Sequence, residues 1–143
     1  MIGKADGDSI EFLERAMEKG RTQLPAGFFE YTEYSQAQIE RGRWPSQWNE
    51  RAGGAAKLPG TVFARAVLEE LRVLLCTSDK KYDDVRRSGK SFAKIATTAV
   101  AGFVAGRFGI ELAVASSAAA AGLLLVVRVG SESFCRASSE RPK

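Results

Sequence analysis

The sequence predicts an all-α protein: a single-domain bundle of about five to six helices around a central helical hairpin rich in Ala, Gly and Leu. Three observations predict it. Small and aliphatic residues run almost unbroken from Phe92 to Val129. Apolar residues upstream recur at i, i+3, i+4 and i+7, the spacing of a helix with one buried face. No stretch alternates polar and apolar as a half-buried strand does, and no internal repeat is visible.

Taken in order, Asp8 to Glu11 has the form of a capping box ahead of Ile10, Leu13, Met17 and Leu24, so a first helix is expected over about 9–23, weakened by Gly20. Pro25 suits the first turn of a second helix over about 26–41, with Phe28, Tyr31 and Ile39 inward and an end near Arg41 and Gly42. Pro45, Gly53, Gly54, Pro59 and Gly60 then punctuate a loop over about 42–60 that holds at most a short helix near 46–52. Trp44 and Trp48, four apart, face one side of it and either plug the edge of the core or present a binding hot spot.

A third helix over about 61–76 follows, with Phe63, Val67, Leu71, Leu74 and Leu75 on one face and Arg65, Glu69 and Arg72 on the other. Thr77, Ser78 and Asp79 offer caps for a basic helical segment over about 79–90, broken or bent at Ser88 and Gly89.

The apolar stretch divides itself. Twelve uncharged residues from Ile95 to Gly106 and sixteen from Leu112 to Val127 flank Arg107 to Glu111. Each falls short of the roughly 20 apolar residues of a membrane-spanning helix. Gly109 can adopt the left-handed conformation that ends a helix, and Glu111 suits the N-terminus of the next, so the expected pair is about 92–108 and 111–129. On a helical projection of the first, Arg87, Lys90, Lys94, Thr97, Thr98, Ala101 and Ala105 share one side. Phe92, Ile95, Ala96, Ala99, Phe103 and Gly106 share the other, which predicts an amphipathic helix with the second set inside. The second helix is apolar all round and must be enclosed by protein or lipid. Gly102 and Gly106 form a GxxxG, and Ala113, Ser117 and Ala121 continue small residues every four, so Gly102, Gly106 and Gly109 are the expected hairpin-packing positions. Arg107 and Glu111 are expected to cap the turn and pair across it, and Arg128 to reach the surface or a carboxylate. Phe134 and Cys135 give a last apolar contact, and residues 137–143 read as a flexible tail.

Composition narrows the chemistry. Histidine is absent, which removes the commonest general base and zinc ligand. Cys76 and Cys135 are too few for a disulfide framework or a thiolate metal site; reduced thiols in a bacterial-type cytoplasmic chain are the simplest fit, with a single bridge left open. Cys76 reads as a small buried hydrophobe rather than a nucleophile. The first fifteen residues have no apolar h-region, so no secretory leader is expected. Gly89-Lys90-Ser91 resembles the end of a phosphate-binding loop, but Asp84 stands where the first glycine belongs and no strand precedes it. Asp83 and Asp84, like Glu69 and Glu70, are adjacent and diverge by about 100° on a helix, so neither pair can act as a coupled acid and base. No cofactor, metal or small-molecule substrate is implied.

Charge is uneven: residues 1–60 carry net −1 and residues 61–143 net +5. The excess lies at Lys80, Lys81, Arg86, Arg87, Lys90 and Lys94, which with Trp44 and Trp48 are the candidate surface for a partner or an anionic surface. The expected function is therefore a non-enzymatic helical interaction or accessory protein acting through a protein partner or self-association, cytoplasmic, with membrane association left open. The alternative is a membrane-active effector of toxin or defence type that inserts the 92–129 hairpin. Nonspecific nucleic-acid binding ranks third, because the basic residues lack interleaved aromatics for base stacking.

Overall fold

The computed structural model describes residues 7–45, 59–89 and 92–139. They form seven α-helices and no strand: α1 (Gly7–Gly20), α2 (Phe28–Glu40), α3 (Pro59–Cys76), α4 (Asp83–Arg86), α5 (Phe92–Phe108), α6 (Leu112–Val129) and α7 (Ser131–Ser138), with 3-10 turns at Arg21–Gln23 and Lys80–Tyr82. The expected short helix near 46–52, with Trp48, lies outside the described residues, as do Lys90 and residues 140–143.

A helix with apolar side chains on every side has to be surrounded, and α6 is. Ala115 and the whole run from Ser117 to Val126 are buried. α1 and α5 pack most extensively on it, and α2, α3 and α7 complete the enclosure. Full burial of Leu123, Leu125 and Val126 stabilises by roughly 1.5–3 kcal/mol each. On the α1 side the small residues at Ala113 and Ser117 bring the backbones together: a methyl on Gly20 would lie 2.9 Å from Ser117 Cβ and 3.1 Å from the Ala113 carbonyl oxygen. Gly20, read from the sequence as a weak point in the helix, is thus where α1 meets α6. The Ser117 hydroxyl donates to the Met17 carbonyl, so this buried polar group is satisfied.

α2 starts later than Pro25 suggests. Pro25 sits in the preceding turn, Gly27 takes the left-handed conformation (φ 93°), and the helix begins at Phe28. Gly60 explains the arrangement: its N–H donates to the Ala26 carbonyl at 2.8 Å, and a Cβ there would fall 2.3 Å from Ala26 O and Phe28 N. The start of α3 is thus stitched to the α1–α2 connection.

The C-terminal end of α3 is held by an arginine. Arg86, in the single-turn α4, donates to the carbonyls of Leu74 (2.8 Å), Val73 (3.0 Å) and Asp79 (2.8 Å), and to the Asp83 carboxylate (3.1 Å). The Val73 and Leu74 carbonyls belong to the last turn of α3, where a helix leaves its carbonyls without intrahelical donors. The expected two-to-three-turn basic helix is shorter for that reason: the chain turns over Asp79, whose side chain caps Lys81 N–H at 3.0 Å, and stops at Gly89 (φ 63°).

The hairpin boundaries match expectation, with Gly109 (φ 64°) closing α5, but α5 is turned over. Ala93, Ala96, Thr97, Val100, Ala101 and Val104 are buried, while Ile95 (39% exposed) and Phe103 (46%) face solvent. Of the predicted inside, Ile95, Phe103 and Gly106 are exposed, Phe92 and Ala99 half-buried and Ala96 alone buried, while Thr97 and Ala101, assigned to the polar side, are inside. The physical reason is the closeness of α5 to α6: small side chains fit between them and large ones do not. Thr97 is no obstacle, because its hydroxyl donates to the Ala93 carbonyl at 2.8 Å.

At Gly130 (φ 88°) the chain turns into α7, where Phe134, Ala137 and Ser138 are buried. Ala137 and Ser138, expected in a flexible tail, thus belong to a packed helix. The expectation of reduced thiols is also overturned: Cys76, at the end of α3, is bonded to Cys135 of α7, with Cα atoms 5.3 Å apart across 59 residues of sequence. Separation along the chain said nothing of this, because packing of α7 on α3 sets the distance.

Candidate interaction surface

The basic residues singled out from the sequence do not act as one cluster. Arg86 is consumed by the α3 carbonyls. Arg87 pairs with Asp84 at 2.8 Å, both largely in water, a pair worth little to stability. Lys81 lies 3.0 Å from Glu70, with its ammonium 4.4 Å from the centre of the Phe103 ring. Lys80 and Lys94 are exposed. Trp44 turns inward: its indole N–H donates to Glu69 at 3.2 Å and its ring meets Phe134 edge-on at 5.3 Å, so it plugs the core edge and is not a surface anchor.

Behind Lys81 the buried Tyr82 meets the half-buried Glu70. The Tyr82 hydroxyl donates to Glu70 at 2.6 Å, and desolvation together with that carboxylate pushes its phenol far above the ordinary range. Burial likewise raises Tyr31, partly offset by Arg65, which donates to the Tyr31 hydroxyl at 3.1 Å. Both phenols are locked as neutral structural donors or acceptors. They tie the Lys80–Tyr82 turn and α2 to α3.

What the structure leaves open is the outer face of α5. Ile95, Gly102, Phe103 and Gly106 fall within one arc of the helix, with half-buried Ala99 between them. From Ile95 to Gly106 the face is about 16 Å long at 1.5 Å per residue. A methyl on Gly102 or Gly106 would meet nothing within 4 Å. These glycines therefore do not pack the hairpin, contrary to expectation. The close approaches belong to Gly20, Gly60 and Gly122, which no spacing rule singled out. Gly109 closes the hairpin turn; a methyl there would meet nothing either.

Lys94 and Arg107 flank the open face, and no ion pair engages either among the described residues. Arg107 does not pair with Glu111; its guanidinium lies 5.5 Å from the centre of the Phe108 ring, and Glu111 caps α6 through its carbonyl alone. Arg128 reaches solvent, as expected. At the hairpin tip Leu112 is 55% exposed. Beside it lies an open groove of about 580 Å³ lined by Pro25, Phe63, Phe108, Ile110 and Val114, with Gln23 and Glu111 as its polar members.

Among the described residues no three Cys, Asp or Glu side chains come together as a metal site, and neither the groove nor the open face of α5 brings a nucleophile against a base. The arrangement offers binding area flanked by two cations, Lys94 and Arg107. No family model matches the chain, and no curated protein or solved structure is significantly similar to it.

Proposed function

We propose that the protein is a non-enzymatic helical interaction protein that docks another protein on the outer face of α5. One observation carries this reading: two glycines sit in the exposed interior of a helix where the fold itself has no use for them. Each costs roughly 0.5–1 kcal/mol relative to alanine, and they share an exposed arc with two large hydrophobics, Ile95 and Phe103. An external backbone approaching closely would account for both features. The test compares what copurifies from the native source with the wild-type chain and with Gly106→Leu. A partner retained by the first and lost by the second, at an undiminished melting temperature, supports the reading; equal capture by both rejects it.

A second reading, membrane insertion, draws on α6, the one described helix long and apolar enough by length and composition to cross a bilayer. Its 18-residue span is 67% buried inside the bundle, so α1 and α3 would first have to leave it. Leakage from anionic liposomes separates the two readings. The disulfide supports an oxidising working compartment in place of the reduced cytoplasm.

A further inference from the structure

We infer that the partner presents an amphipathic helix with a small-residue apolar stripe and acidic flanks, laid along α5 across Gly102 and Gly106. This rests on the docking reading above and specifies its occupant. The shape comes from the notch: on a helix surface, i and i+4 glycines remove side-chain bulk from one ridge, so a second helix backbone can settle on that ridge alongside Ile95 and Phe103. A lipid surface would gain nothing from missing side chains; it takes up projecting apolar ones.

The charge selects the partner. α5 holds Lys94 and Arg107 and no carboxylate, whereas Lys81, over Phe103 at the rim, is already paired with Glu70. A second copy supplies no counter-charge, because two α5 helices paired in either direction gather four cations and no acid along the seam. A partner helix with Glu or Asp beside its apolar stripe meets Lys94 near one end and Arg107 near the other. The face is about 16 Å long at helical rise, which fits a helix-in-groove contact better than a standard-sized protein interface.

The probes are two synthetic peptides of about 18 residues, long enough to hold helical structure, sharing one Ala/Leu stripe and flanked by Glu in one and Lys in the other. Titrated into the intact, disulfide-bonded protein, the Glu-flanked peptide is expected to bind about tenfold more tightly at low salt, with the difference shrinking as salt screens it. Amide shifts map to α5, and Gly106→Leu weakens binding at least tenfold without lowering the melting temperature. Equal binding of the two peptides, indifference to Gly106→Leu, concentration-dependent dimerisation blocked by Gly106→Leu, or binding to anionic vesicles in place of the Glu-flanked peptide would each overturn the inference. Failure of the peptide while a Gly106→Leu-sensitive partner persists removes the acidic-helix inference alone; loss of both removes the docking reading as well.

Discussion

Gly122 of α6 lies so close to Leu71 of α3 that a methyl group on it would stand 2.7 Å from Leu71 Cδ1, and 2.8 Å from Val67 Cγ1 on the same helix. Neither neighbour has room to retreat, since both are at most 1% exposed and valine is stiff about χ1. Gly122→Ala is therefore expected to destabilise by about 1–2 kcal/mol even after the gain in helix propensity. Gly102→Ala, where the added methyl touches nothing, is expected to stabilise by about 0.5–1 kcal/mol. Urea denaturation of the two variants checks both signs, and a shift in the same direction for both contradicts the packing assigned to α6 and α5.

The guanidinium of Arg86 serves four oxygens from three stretches of chain. Truncation leaves the Val73 and Leu74 carbonyls at the end of α3 without this donor, so Arg86→Met is expected to cost about 2–3 kcal/mol. Lysine, a point charge without the planar fork, recovers less than half of it. Arg87→Met, which removes only an exposed pair, changes stability by no more than about 0.5 kcal/mol. Comparable losses in the Arg86 and Arg87 variants would show that the basic segment acts through its charge and not through the α3 carbonyls.

Tyr82 and Tyr31 give the fold a defined alkaline limit. Both phenols are raised above the ordinary value when folded, while in the unfolded chain they titrate near pH 10. Above that pH the native state holds protons that the unfolded state has released, so stability falls as pH rises; below it, the contribution is fully present. The slope contributed by each group approaches about 1.4 kcal/mol per pH unit. Denaturation midpoints measured on either side of pH 10 check this. Tyr82→Phe is expected to be less stable at neutral pH, having lost the bond to Glu70, and to lose stability less steeply in alkali. A wild-type midpoint that stays level through that range rules the account out.

How much of this the sequence disclosed depended on whether a feature was local. Hairpin boundaries were legible because Gly109 and the charges beside it mark them on the chain itself. The inward residues of α2 and α3 were legible because a single burial direction imposes a 3.6-residue period. The orientation of α5 was not, because hydrophobicity ranks Ile95 and Phe103 above Ala101 and Thr97, whereas packing against another helix at close range ranks by size. The basic segment was also less free than its sequence suggests, for a related reason. Arg86 and Lys81 read as surface groups until Leu74 and Glu70 arrive from α3 to occupy them, while Trp44 follows the core-plugging alternative through Glu69 and Phe134. No spacing signal pointed to Gly122, Gly60 or the Cys76–Cys135 bridge, since each exists only once distant segments meet.

The bridge itself sets the last expectation. Closing a loop of 59 residues' separation restricts the unfolded chain by about 4 kcal/mol in the chain-entropy account, which for a domain of this size corresponds to roughly 10 °C in melting temperature. The α7 segment depends on it more than the rest. It has eight residues, too few to be helical alone, and is otherwise held through Phe134 against Trp44 and the buried Ala137. Thiol titration of the denatured, unreduced protein is expected to find no free cysteine. Cys135→Ser is expected to melt roughly 10 °C lower, with hydrogen exchange quickened first at Phe134 to Ser138 while α6 stays protected. Two titratable thiols without reductant, or an unchanged melting point and unchanged α7 protection in the variant, would mean that α7 is held by its apolar contacts alone, and the proposal of an oxidising compartment would lose its support.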